Sequence, residues 1–156
     1  MRAAMWLVMA LAAAVAGRPA AAGTMEPNAV PDTVPAASAD AEQGAIQRVI
    51  ERQFEAFRDD DGPAAMAMAS PGIQSLFDHD PVTFMAMVRR GYQPVYRPRS
   101  ITFGALAQSG TGRVQRVDVI GPDGVPHTAL YAMERQPDGT WRIGGCTIVD
   151  SAAVGA

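Results

Sequence analysis

Apolar residues in the middle of the chain recur first at steps of three and four, and later at steps of two. Ile46, Val49, Ile50, Phe54 and Phe57 share one face of a helix. Asp40 followed by Gln43 resembles a capping box, which satisfies orphan N–H groups at a helix start. The acidic run at residues 59–61 marks that helix's end. Gly62-Pro63 introduces a short helix over Ala64 to Ala69. Ser70-Pro71 and Asp80-Pro81 each set a capping side chain before a proline whose missing N–H is not needed there. Two more helical segments follow these pairs. One runs through Ile73, Leu76 and Phe77, and the other through Phe84, Met87 and Val88 to a stop at Gly91.

From Gln93 the pattern predicts strands, roughly Arg99 to Ala107, Arg113 to Ile120, Pro126 to Arg135 and Thr140 to Val149. Gly110-Thr111-Gly112 and two Pro-Asp-Gly turns, at 122–124 and 137–139, separate them. In such turns proline presets the first residue and glycine supplies a positive φ. Connections this short make an antiparallel meander. In the last strand Trp141 and Ile143 alternate onto one face, while Cys146 and Ile148 fall on the other. One extra residue at Gly144-Gly145 would return all four to the core side, so a bulge is expected there. Helices first and an antiparallel sheet afterwards imply an α+β fold, with the helices burying their apolar faces on the sheet.

The first forty residues follow different rules. Arg2 precedes an apolar stretch from Ala3 to Gly17, and Ala20-Ala21-Ala22 fits a small-residue cleavage site, as does Ala14-Val15-Ala16. Residues 1–22 therefore read as a cleavable signal peptide, too short for an ordinary membrane span of about 20 apolar residues. An uncleaved N-terminal anchor is the competing reading. Residues 23–39, with Pro27, Pro31 and Pro35 and no apolar periodicity, read as a linker. Residues 40–150 form a single domain and 151–156 a disordered tail. The expected location is periplasmic or secreted, with no membrane attachment after cleavage.

Composition narrows the function classes. All 13 basic residues are arginine, a bias that reads as genomic. The formal charge is −3, and losing Arg2 and Arg18 with the leader makes it more negative, so a general nucleic-acid binder is not expected. The single cysteine, Cys146, allows neither an intramolecular disulfide nor a thiolate metal cluster, and its default place is the core.

Several segments resemble an uncharacterised bacterial domain-of-unknown-function family. They are residues 50–57 (IERQFEAF), 69–73 (ASPGI), 84–88 (FMAMV), 92–98 (YQPVYRP) and 138–146 (DGTWRIGGC). The resemblance covers about Gln43 to Val149. It implies a nuclear transport factor 2-like, or SnoaL-like, cone: N-terminal helices packed on a curved antiparallel sheet. It supplies no catalytic residues, because relatives of that fold include isomerases, dehydratases, binders and interaction modules.

Candidate chemistry is sparse. Asp78-His79-Asp80 could hold a metal, but at a helix boundary an exposed loop with a capping aspartate is the stronger expectation. Tyr92, Tyr96, Arg97 and Arg99 could aim guanidinium groups into the cone's mouth if the chain is already a strand at Val95. Pro94 and Pro98 favour arginines on a solvated rim instead. Tyr131 with His127 and Asp118 could line a pocket, although the parity of Asp118 turns it to water and His127, just after a turn, reads as an exposed loop histidine. Met66, Met68, Met85 and Met87 read as core filling.

The expected ligand-binding residues are thus Tyr96, Arg97, Arg99 and Tyr131, with no catalytic set, metal or cofactor. The leading expectation is a non-enzymatic domain that binds an unidentified small molecule or partner protein through a cone-shaped pocket. A SnoaL-like isomerase or hydratase is the rival. A homodimeric interaction module using the outer sheet face is the third reading.

Overall fold

Five helices precede four strands in the computed structural model, which describes residues 36–150. The signal peptide, most of the linker and the tail expected from the sequence lie outside the described residues. The order is α1 (Ala36–Arg58), α2 (Gly62–Ala67), α3 (Pro71–Leu76), α4 (Pro81–Gly91), α5 (Gln93–Tyr96), β1 (Ser100–Ser109), β2 (Gly112–Ile120), β3 (Pro126–Arg135) and β4 (Trp141–Asp150). The chain is α+β, and the sheet is an antiparallel meander in the order β1-β2-β3-β4.

Local rules account for most boundaries. Ser70 Oγ accepts from the Ile73 N–H at 3.5 Å, and the Asp80 carboxylate accepts from Val82 and Thr83 at 3.0 and 3.3 Å. Both are N-caps ahead of a proline, as the sequence implies. The helix α1 begins at Ala36, however, so Asp40 lies inside it and caps nothing. Alanine is the strongest helix former, and Ala36, Ala37, Ala39 and Ala41 carry the helix upstream of the expected start. Short helices survive because side chains bind them to neighbours. Gln74 Nε2 donates to the Met66 and Ala69 carbonyls at 3.2 and 3.0 Å, and Gln53 Nε2 to Ala65 O at 3.3 Å.

The turns behave as their residues require. Gly124 and Gly139 sit at φ +83° and +85° in the two Pro-Asp-Gly turns. The aspartate before each accepts a backbone N–H at 2.9 Å, from Val125 and Thr140 respectively. The expected bulge is present: Ala132 pairs Gly145 while Met133 pairs Ile143, which leaves Gly144 as the extra residue. A second irregularity lies in β1 between Phe103 and Leu106. The Gln115 side chain serves it, donating to Gly104 O at 2.9 Å. Bulges raise local twist and bend a strand, and here they lie in the two outermost strands.

The main core lies between α1 and one face of the sheet. Ile46, Ile50 and Phe54 meet Val117, Val119, Ala129, Tyr131, Met133, Trp141 and Ile143, all essentially buried. Phe54 and Tyr131 pack edge to face with centroids 6.0 Å apart. Burying each such side chain contributes roughly 1.5–3 kcal/mol. The shorter helices do not all use the sheet. Phe57, Ala65, Met66, Phe84, Met85 and Val88 form a second cluster, helix on helix, around the C-terminal end of α1. This departs from the expectation that the sheet is the only apolar surface available. Met66 and Met85 fill this core, as the spacing implies.

Candidate functional site

Of the four residues singled out by sequence, Arg97 and Arg99 lie on the surface, Tyr96 is half-buried against the second cluster, and Tyr131 lies in the core. Gln93–Tyr96 is helical and the first strand starts at Ser100, so Arg97 and Arg99 precede the sheet and do not share its inner face. Pro94 sits in the first turn of α5, where its fixed φ suits a helix. Arg99 Nε donates to Pro122 O at 3.1 Å and pins the β2–β3 turn. Tyr96 and Arg97 converge on Asp60, just past the end of α1. The Asp60 carboxylate accepts from the Tyr96 hydroxyl, from Arg97 and from Arg89 Nη2 at 2.9 Å. The guanidinium carbons of Arg89 and Arg97 stand 5.6 and 5.2 Å from the Tyr96 ring centroid. The Tyr96 hydroxyl and the Arg89 guanidinium hold the Asp60 carboxyl below the usual carboxylate range. The node is satisfied from within, and its positive groups are already engaged.

Tyr131 is 1% exposed, and its hydroxyl meets the Cys146 thiol across the β3–β4 register. Burial pushes the Tyr131 phenol well above its ordinary value and the Cys146 thiol up to about 12. Both keep their protons at neutral pH, so neither is poised as a base or nucleophile. Asp118 lies on the outer face, where Arg116 and Thr128 bond it at 3.0 and 2.9 Å. His127 stays on the inner face opposite Asp150, with 3.8 Å between Nδ1 and the carboxylate. Asp78 and His79 are exposed, and Asp80 is a cap. Among the described residues no group of three or more His, Cys, Asp or Glu could hold a metal ion. Nor is any described helix long and apolar enough to cross a membrane.

Open space lies instead along the edges of α1, where it faces the β3–β4 hairpin and α2. A recess of about 380 Å³ runs between α1 and the β3–β4 hairpin, lined by Val49, Met68, Thr140 and Trp141 and edged by Arg48, Arg52 and Arg142. Its volume lies within the range of small-molecule sites, roughly 300–1,000 Å³. Arg142 Nη1 donates to Ala67 O at 2.7 Å, which fixes that guanidinium in place. Among the described residues neither Arg48 nor Arg52 has a carboxylate within 4 Å. An adjoining recess of about 420 Å³ shares Arg52 and Met68 and continues past Ala56 toward Glu55, Asp59 and Asp61.

Sequence reasoning missed this flank, because Arg48 and Arg52 look like part of a solvated helix face. One signal was legible. Like charges at i,i+4 oppose helix formation by a few tenths of a kcal/mol, and α1 repeats the pattern at Arg48–Arg52 and Glu51–Glu55. In the pairs Arg48–Glu51 and Arg52–Glu55 the arginine also precedes its glutamate, the less favourable order, whereas Glu55–Arg58 has the favourable one.

No curated protein and no solved structure matches the chain. A family model described as a domain of unknown function (DUF4864) matches residues 39–156, which takes in every strand and nearly all of α1. The chain belongs to that family.

Proposed function

We propose that this is an exported, periplasmic or secreted binding domain on a nuclear transport factor 2-like cone, which takes a small molecule or a partner's segment. Its binding site is the recess beside Trp141, with an anionic group of the ligand seated on Arg48 and Arg52. The observation that carries the reading is the pair of guanidinium groups left without a carboxylate at the rim of a partly apolar recess. A carboxylate or phosphate there gains charge-assisted hydrogen bonds from arginines that pair with no carboxylate among the described residues. The fold supports the cone through its order of elements and through bulges in both outermost strands. Export rests on the leader pattern of residues 1–22.

Trp141 supplies the test, because the chain has two tryptophans and the other is Trp6. In the full chain carrying Trp6→Phe, titration with hexanoate and hexyl phosphate is expected to shift Trp141 emission saturably. In a chain that also carries Arg48→Ala and Arg52→Ala the shift is expected to weaken at least tenfold. Emission that stays constant up to millimolar probe would remove the reading. The isomerase or hydratase alternative needs an ionised group beside Tyr131, and its polar neighbour there is a thiol that holds its proton.

A further inference from the structure

The two recesses on α1 meet at Arg52 and Met68, so together they make one trough. Its α1 wall runs from Ala45 to Ala56, about 17 Å at 1.5 Å per residue, and Asp59 follows just past the helix end. The charges are sorted along it. Arg48 and Arg142 stand at one end, Arg52 at the junction of the two recesses, and Glu55, Asp59 and Asp61 toward the other end. Among the described residues none of the three acids forms an ion pair, and neither Arg48 nor Arg52 does. Between the two ends the walls are Ala56, Ala64 and Ala67, small enough to admit a ligand's main chain.

We propose that this trough binds an extended peptide segment bearing an acidic and a basic side chain about 13 Å apart, roughly nine helical residues of α1. This inference rests on the recess reading above and adds the occupant. The acidic side chain lies on Arg48 and Arg52, and the basic one reaches Asp59 or Asp61. Four steps of extended chain, at about 3.3 Å each, cover that separation. An isolated small anion would use the arginine end and leave the acidic end empty. A strongly acidic or strongly basic partner would be repelled at one end, so the trough selects for mixed charge at a set spacing.

The test again uses the full chain with Trp6→Phe and follows Trp141 emission. The probes are capped six-residue alanine peptides with aspartate and arginine four steps apart, in either order. Controls place the two charges side by side, or carry none, and hexanoate reports on the arginine end alone. One spaced peptide is expected to bind at least tenfold more tightly than its side-by-side control. Arg52→Glu is expected to weaken that binding at least tenfold, and Asp59→Asn with Asp61→Asn at least threefold, at unchanged Tm. Equal affinity for spaced and adjacent charges, or no effect of the acidic-end variants, overturns the peptide inference while hexanoate binding keeps the recess reading. Silence of Trp141 toward every probe overturns both.

Discussion

Asp60 is locally a poor choice on two counts. Its φ of +55° lies in the left-handed region, and its negative charge sits at a helix C-terminus, where the dipole disfavours it. The backbone around it closes α1 in a Schellman-like arrangement, with Asp61 N–H donating to Ala56 O at 2.8 Å. Glycine would suit that position better, but only a carboxylate can accept Tyr96, Arg89 and Arg97 together. Asparagine keeps the tolerance for positive φ and removes the charge, so Asp60→Asn isolates the electrostatic part. The carboxyl's folded pKa is lowered, so its contribution is complete above the unfolded value near 3.8 and disappears as pH falls through the folded one. Asp60→Asn should unfold at lower urea than the parent at pH 7, with the two converging as pH falls through the lowered folded pKa. A gap independent of pH would mean that the node acts through packing alone.

The strand β4 shows how one residue sets an element's two faces. With Gly144 as the extra residue, Trp141, Ile143, Cys146 and Ile148 all serve the main core. Deleting Gly144 together with Gly145 leaves Cys146 and Ile148 one step out of parity with Trp141 and Ile143, with no extra residue to absorb it, and forces one of these pairs toward solvent. The loss should be about 3 kcal/mol or more, from two large side chains leaving the core. Gly145→Ala is the control, because a Cβ there meets nothing within 4 Å, and it should change stability by less than about 1 kcal/mol. Urea midpoints of the two variants measure the contrast. The bulge could be read from the sequence because alternation has a period of two, and a break in parity must be repaired somewhere in the strand. The short helix α5 was not legible in the same way. Four residues carry no period, and Pro94 and Pro98 suit an irregular edge as well as a helical first turn.

At the scale of the whole molecule, two apolar clusters share α1. Its middle packs on the sheet and its end packs on the short helices. Tyr131 and Cys146 meet inside the first of these, and both have folded pKa values raised by burial. The sign follows directly. The unfolded chain ionises its thiol from about pH 8.5 while the folded one holds the proton to about 12, so stability is constant below about 8.5 and falls above it. The urea midpoint should therefore drop between pH 8 and 10. In Cys146→Ala it should start lower, because a contact is lost, and stay flat over the same interval. An equal slope in both chains would assign the alkaline loss to other groups. The same burial predicts that the thiol reacts slowly with aromatic disulfides at pH 8 until the chain unfolds.

What the sequence determined by itself is short in range: the period of α1, the caps at Ser70 and Asp80, the positive-φ glycines of the two Pro-Asp-Gly turns, and the repaired parity of β4. Each follows from forces between residues a few positions apart, so the residues themselves suffice. The groups that bear on function meet across long separations. Asp60 meets Arg97 across 37 positions, and Arg142 reaches the Ala67 carbonyl across 75. No local rule tells which guanidinium groups find a carboxylate and which are left over. Packing decided that Tyr131 is sealed in the core, that Arg97 serves Asp60, and that Arg48 and Arg52 stand unpaired beside Trp141. A charge is neutralised or left free by whatever the fold brings within about 4 Å of it, and that distance belongs to the tertiary structure alone.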